Sequence, residues 1–348
     1  MKQDLSVVGI DSAKNVFHLV GMDDRGKIIL RKRLMRGEVM AFMATLPQVT
    51  VGMEACGGSH YWARQFREQG HEVKLMAPQY VKPYVKTNKN DLRDAEAMAE
   101  AVTRPSMRFV PIKEVEHQDI QALHRVRDRL MGARTALVNE MRGLLAEYGI
   151  VLPTGVNAFR KAVVGKLALE QAKLTPLSQE LFHKLFEELI QVEAQVAYYD
   201  EKLKALATTH PECQRLLTIP GIGPITATAL IAAISDVGVF SNGRHFSAWL
   251  GLVPKQHSTG GQTRLLGISK RGDSYLRKLL IHGARATLRW ARTKTDGRSH
   301  WIRGLLERRG WNRTAVAVAN KNARIVWALL SRGGVYRDSA SSSRRQEP

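Results

Sequence analysis

The sequence predicts an α/β domain followed by helical domains, an α/β plus α chain. Three observations predict it. Short apolar strands alternate with helical stretches over roughly the first 110 residues; leucine heptads take over from about Val115; helices with Gly-rich breaks follow His210-Pro211. A chain of 348 residues has room for two or three domains, each with its own core. The expected boundaries are 1–112 for the α/β domain, 113–208 for a helical stalk, 209–332 for a mainly helical domain and 333–348 for a tail.

Leu5 to Ile10 and Val16 to Val20 read as strands, and Lys27 to Leu34 as a third after the Asp23-Asp24-Arg25-Gly26 turn signal. A helix near Glu38 to Leu46 leads to strand Thr50 to Glu54, a helix around His60 to Gln69 and strand Glu72 to Met76. The result is a mixed sheet covered by helices. Leu123, Leu130, Leu137 and Leu144 recur every seventh residue, with Ile120, Met141 and Tyr148 between them. Leu185, Leu189, Val192, Val196, Tyr199, Leu203 and Leu206 repeat the pattern, and Pro153, Gly155 and Pro176 break the helix between. Such seams form an antiparallel hairpin, a dimerising stalk or a plain bundle core. From Gly333 onward the chain is Gly-, Ser- and Arg-rich, the composition of a disordered tail.

Fifty-three Lys and Arg against 32 Asp and Glu leave a net charge of +21. The 94 residues from Lys255 to Pro348 carry 21 of those bases and five acids, so +16 of the excess lies in the last quarter. A charge so placed favours a polyanionic partner, nucleic acid ahead of a membrane surface. Cys56 and Cys213 exclude a disulfide scaffold and a four-cysteine zinc site, which fits a reducing compartment. Asp4 and Asp11 interrupt the apolar amino terminus, against a secretory signal, and no run approaches the roughly 20 apolar residues of a membrane span. The expectation is a cytoplasmic protein with no membrane partner.

Asp11 follows the apolar Val7-Val8-Gly9-Ile10, and Glu54 ends Thr50-Val51-Gly52-Met53. Asp91 and Asp94 open a strongly helix-forming stretch and share one face. Singly, Asp11 could begin a turn, Glu54 form a surface pair, and Asp91 cap a helix with Asp94 in its first turn. Together the four could converge on Mg²⁺, a hard cation that prefers carboxylate oxygens and offsets charge building on a phosphoryl group. Pro220-Gly221-Ile222-Gly223-Pro224 looks like a helix-hairpin-helix, whose amides hold a DNA phosphate, or else a packing corner. Ser258 and Thr259 sit beside Gly260-Gly261, among the bases Lys255, Arg264, Lys270 and Arg271, in a loop that brings a phosphodiester to a hydroxyl nucleophile. His257 or metal-bound water could take the proton; an ordinary Ser/Thr/Gly loop is the competing reading. Asp273 caps a helix with Lys278, Arg285, Arg289 and Arg292 on one side and Leu276, Leu280, Ala284 and Thr287 on the other, a basic face suited to a phosphate backbone. Trp290, Trp301, Trp311 and Trp327 either stack on bases or pack in the core.

The motif order is distinctive. Gly-Ile-Asp11 with Ser12-Ala13-Lys14, then Met53-Glu54-Ala55, then Lys89-Asn90-Asp91-Leu92-Arg93-Asp94-Ala95 resembles the acidic tetrad of the DEDD transposases of insertion sequences. The Pro-Gly-Ile-Gly, Gly-Leu-Val-Pro and Ile-Ser-Lys-Arg-Gly-Asp segments resemble that family's second domain. The resemblance covers nearly the whole chain except the tail. It implies a RuvC-like, ribonuclease-H-type domain, a coiled-coil stalk and a transposase domain with a catalytic serine. It also implies a recombinase acting on double-stranded donor and target DNA, guided by a noncoding bridge RNA, as a dimer or tetramer. The tetrad falls on Asp11, Glu54, Asp91 and Asp94, with Mg²⁺ as cofactor. The serine falls on Ser258 when aligned back from Ile-Ser-Lys and on Thr259 when aligned from Gly-Leu-Val-Pro; Ser258 is the choice here. Competing readings are a RuvC-like junction-resolving nuclease that uses water and a non-catalytic nucleic-acid-binding protein.

Overall fold

The computed structural model describes residues 4–85 and 90–337. Lys89 of the third acidic motif, and the expected tail beyond Arg337, lie outside the described residues; 333–337 carry neither helix nor strand. The chain divides into two compact units, Met1–Glu116 with Ile234–Val239, and His117–Ala233 with Phe240–Pro348. No helix among the described residues is long and apolar enough to cross a membrane.

In the first unit, β1 (Val7–Ser12), β2 (Val16–Met22) and β3 (Ile28–Met35) form an antiparallel meander. Then come α1 (Val39–Met43), β4 (Thr50–Glu54), α2 (Ser59–Glu68), β5 (Glu72–Met76), α3 (Pro78–Val81), α4 (Asp91–Val102) and β6 (Phe109–Val110). The Asp23 turn closes as expected, its carboxylate accepting from the amides of Arg25 and Lys27 at 3.0 and 2.7 Å. The sheet order is β3-β2-β1-β4-β5-β6; β4 lies parallel to β1, β5 parallel to β4, and β6 antiparallel to β5. This mixed six-stranded sheet is consistent with the ribonuclease-H-type expectation.

Side chains alternate across a strand, so each face can be read from the burial. Val8, Ile10, Phe17, Leu19, Val51 and Met53 pack with Trp62 and Phe66 of α2. Val7, Val20, Met22 and Met76 pack with the alanines of α4. By the same alternation Gly9, Asp11, His18, Gly52 and Glu54 belong to the α4 face. Gly9 and Gly52 are paired neighbours on β1 and β4. A Cβ on Gly9 would stand 2.1 Å from the Ala95 carbonyl oxygen, and one on Gly52 2.9 Å from that of Met98. The two glycines flatten the sheet where α4 lies, which sets the start of α4 beside the ends of β1 and β4.

In the second unit the helices are α5 (Val115–Ala146), α6 (Val156–Leu169), α7 (Pro176–Thr209), α8 (Pro211–Leu217), α9 (Pro224–Ala233) and α10 (Gly243–Trp249). The hairpin β7 (Pro254–Thr259) and β8 (Gln262–Ile268) follows, then α11 (Ser274–Trp290) and α12 (Gly297–Arg332), which kinks at Gly310. Leu130, Leu137 and Met141 of α5 share a core with Leu189, Val192 and Val196 of α7 and with Phe159 and Val163 of α6. Leu144, the fourth heptad leucine, is instead 37% exposed, and Leu145 is buried in its place. A strict seven-residue repeat drifts by about 20° per turn pair on a straight α-helix, so the stripe rotates out after three heptads.

Buried His124 ties three helices together. Its Nε2 lies 3.0 Å from the Thr228 hydroxyl on α9, and its Nδ1 3.0 Å from the Tyr275 hydroxyl on α11. Thr228 donates its own proton to the Pro224 carbonyl at 2.8 Å, so the ring donates from Nε2 and accepts at Nδ1, the neutral tautomer. Burial, with the Arg127 charge nearby, pushes the His124 pKa down to about 4.

Candidate active site

Three of the four expected carboxylates converge. One carboxylate oxygen each from Asp11, Asp91 and Asp94 lies within 4.8 Å of the other two. Strand β1 runs two residues further than expected, so Asp11 lies within it, opposite His18 of β2, rather than after its end. Asp91 is the first residue of α4, and Asp94 follows on the same side one turn on. The cap itself is Asn90, whose side chain accepts from the Leu92 amide at 3.0 Å. Asp91 is therefore spared for another use. Glu54 ends β4, the strand next to β1, on the same face as Asp11. It stands outside the three-carboxylate group, yet its charge is felt there.

The carboxylates act on one another. Asp11 is half-buried, and its pKa is raised to about 6, first by desolvation and then by the charges of Asp94 and Asp91, with a smaller push from Glu54. Among the described residues His18 opposes that rise, and its Nδ1 lies 3.7 Å from Asp91 Oδ2. Hard oxygens from two rigid elements suit a divalent cation such as Mg²⁺. His18 was missed in the sequence, although a polar residue opposite Asp11 in an otherwise apolar strand was a readable signal once the hairpin register was known.

The second unit holds the hydroxyl candidates. The expected loop around Ser258 is instead the exposed hairpin β7–β8, with Gly260 and Gly261 at its tip. Its root is fixed by backbone bonds from Ser269 to Val253 at 2.8 Å and from Lys270 to Gly251 at 3.2 Å. Gln256 and Ser258 share one face, and Gln256 Nε2 donates to Ser258 Oγ at 2.7 Å. His257 occupies the other face with Thr259, and Arg264 is paired opposite it. Strand alternation thus turns His257 away from Ser258 and toward the side of Thr259.

The expected nucleic-acid contacts take several positions. Lys255, Arg264, Lys270 and Arg271 are exposed on the hairpin and its root. Asp273 caps α11 as expected, accepting from the amides of Tyr275 and Leu276. On α11, Lys278 forms an ion pair with Asp128, Arg285 Nη2 donates to Asn312 Oδ1 at 3.4 Å, and Arg289 is exposed; Arg292, expected on the same helix face, is exposed in the turn beyond the helix end at Trp290. Gly221, at φ 90°, packs against the backbone of Gly283 of α11, where a Cβ would come 2.8 Å from its carbonyl oxygen. Gly223 is exposed, its carbonyl accepting from the Ala227 amide. Of the tryptophans, Trp290 is 67% exposed, whereas Trp327 is tied inward by a 2.9 Å bond from Nε1 to the Phe240 carbonyl.

Comparison with known proteins finds transposases along the sequence. A family model for DEDD transposases of the IS110 group, described as Transposase, matches residues 8–150, and a second, described as the Transposase IS116/IS110/IS902 family, matches residues 213–299. The chain is 53% identical to a Pseudomonas aeruginosa protein named Probable family 20 transposase, over 96% of this chain and 99% of that one. It is 49% identical to the transposase for insertion sequence element IS1111A of Coxiella burnetii, over 97% and 93%. It is 42% identical to the transposase for insertion sequence element IS1328 of Yersinia enterocolitica, over 96% and 99%.

Proposed function

Because the chain belongs to the IS110/IS116 family of insertion-sequence transposases, we propose that it cuts and rejoins DNA strands through a serine nucleophile and an acidic metal centre. The observation that carries this reading is the convergence of Asp11, Asp91 and Asp94 within 4.8 Å, with Asp11 pushed up to about 6 by burial and by the charges of Asp94 and Asp91. These three would hold Mg²⁺, with Glu54 on the neighbouring strand as the fourth carboxylate. When bound, the cation supplies charge neutralisation at the scissile phosphate. His18, 3.7 Å from Asp91 Oδ2, would steady that carboxylate electrostatically.

Ser258 is the proposed nucleophile. Its Oγ–P bond forms as a P–O bond to one sugar oxygen breaks; the hydroxyl proton leaves to solvent, and the sugar oxygen takes up a proton. The phosphoserine link keeps the phosphodiester free energy for rejoining, so no nucleotide cofactor is needed. Gln256 holds Ser258 Oγ in place, a role its 2.7 Å bond supports. Following the family resemblance, the tetrad of one subunit works with the serine of another, making a dimer or tetramer a condition of activity. The stalk seams of α5 and α7, a helix-hairpin-helix at Gly221 and Gly223, and guidance by a structured noncoding RNA belong to the same proposal.

The test is a trapped covalent adduct. Purified protein with its RNA and both DNA sites should give a protein–DNA adduct, lost in Ser258→Ala and in Asp11→Ala. An adduct that persists in Ser258→Ala and disappears in Thr259→Ala moves the nucleophile by one residue, to the face shared with His257 and Arg264. A second reading, a junction-resolving nuclease using water, is favoured by the three converging carboxylates, which could hold a metal ion that activates water without any hydroxyl residue. It requires cleavage with no adduct.

A further inference from the structure

A groove of about 1070 Å³ lies in the second unit between α12, α10 and the root of the β7–β8 hairpin. Arg313, Lys321, Arg324 and Arg332 line it from one face of α12, and Arg244 lines it from α10. No acidic residue is among its described lining residues. Arg244, Arg313, Arg324 and Arg332 are exposed, so their charges are available to a ligand. The floor between them is apolar and includes Val316, Ile325 and the Trp301 ring, with Lys321 Nζ 4.2 Å from the ring centre.

The walls are preformed. Asn320 Nδ2 on α12 donates to the Leu252 carbonyl at 3.2 Å, and Gly243 packs so closely that a Cβ there would stand 3.0 Å from the Arg324 Cα. Pro254 and Ile268, the pair that opens the hairpin ladder, line the groove. Ser258 lies four residues along β7, about 14 Å at the usual strand rise.

We propose that this groove holds a single strand of DNA, the segment running from the phosphodiester that Ser258 attacks. The identity of the strand rests on the nucleophile reading above; the binding chemistry does not. A duplex stacks its base faces inside the helix, where they cannot reach the apolar floor. A single strand offers phosphates to the cationic rim and sugars and base faces to the floor and Trp301. Continuity with the hairpin makes that strand DNA. None of these five cations stood out in the sequence, because they are scattered over about 90 residues and meet only when α10 packs on α12.

The experiment is fluorescence anisotropy on the full chain with labelled oligodeoxythymidylate, the matching oligouridylate and a DNA duplex, over a salt series. The paired Arg313→Gln, Arg324→Gln variant should weaken oligodeoxythymidylate binding about tenfold and reduce the slope of log affinity against log salt by about 1.4. The paired Arg313→Lys, Arg324→Lys variant keeps the charge and should keep most of the affinity. Unchanged oligodeoxythymidylate binding in the Gln pair overturns the proposal. So does a loss confined to oligouridylate or to duplex, and so does an equal loss in the Lys pair, which would assign the effect to packing. If the Gln pair loses the single strand while Ser258 forms no adduct, the nucleophile reading fails and the groove stands.

Discussion

Asp11 and His124 are displaced from their ordinary pKa values by burial, with opposite consequences. His124 is neutral in a site that satisfies both ring nitrogens, and its pKa is about 4 against 6.5 in the unfolded chain. Between those values the unfolded chain binds the extra proton. The contribution is therefore whole above about pH 6.5 and is lost as pH falls toward 4, up to about 3 kcal/mol. Thermal unfolding followed from about pH 7 to about pH 4 should show that loss, and His124→Gln should flatten it; an unchanged slope in the variant would contradict the assignment. Asp11 holds its proton up to about pH 6, so a divalent cation must displace that proton at lower pH. Calorimetric titration with Mg²⁺ should show affinity falling about tenfold per pH unit below about 6, and Asp11→Asn should remove the binding.

The elements place these residues, and the glycines place the elements. A methyl group at Gly9 meets the backbone of Ala95 and Ala99, which cannot move without shifting α4 and with it Asp91 and Asp94. Gly9→Ala should cost about 3 kcal/mol and weaken Mg²⁺ binding, although residue 9 touches no ligand; chemical denaturation and the same calorimetry measure both. Much of this unit was legible: Thr50–Glu54 and Glu72–Met76 emerge with the bounds expected, the first from its apolar Val51-Gly52-Met53 run and the second from Val73, Leu75 and Met76 around Lys74. Asp11, Asp91 and Asp94 were legible because carboxylates beside apolar strands and at a helix start are few. His18 was not, since its place depends on the register of β1 against β2. The β7–β8 hairpin was not legible either. All of Pro254–Thr259 and nearly all of Gln262–Ile268 are exposed, so no alternation of apolar and polar residues marks them as strands.

For the whole molecule, the concentration of +16 in the last 94 residues leads us to propose that DNA binding is an electrostatic event spread over α11, α12 and the hairpin. Affinity for duplex DNA should fall about 10³-fold or more between about 50 and 200 mM salt, as expected for six or more phosphate contacts, and a flat dependence would contradict a basic binding face. The proposed roles fall in separate units: the acidic group lies on a sheet and a helix in one, the hydroxyl and cationic groups on an exposed hairpin and long helices in the other. All of it depends on the acidic group being a cation site. Crystals soaked in Mn²⁺ and measured at the manganese absorption edge test this most directly. An anomalous peak about 2.1 Å from carboxylate oxygens of Asp11, Asp91 and Asp94 is the expected result. Manganese seated elsewhere, with those three carboxylates ordered and unligated, would contradict it.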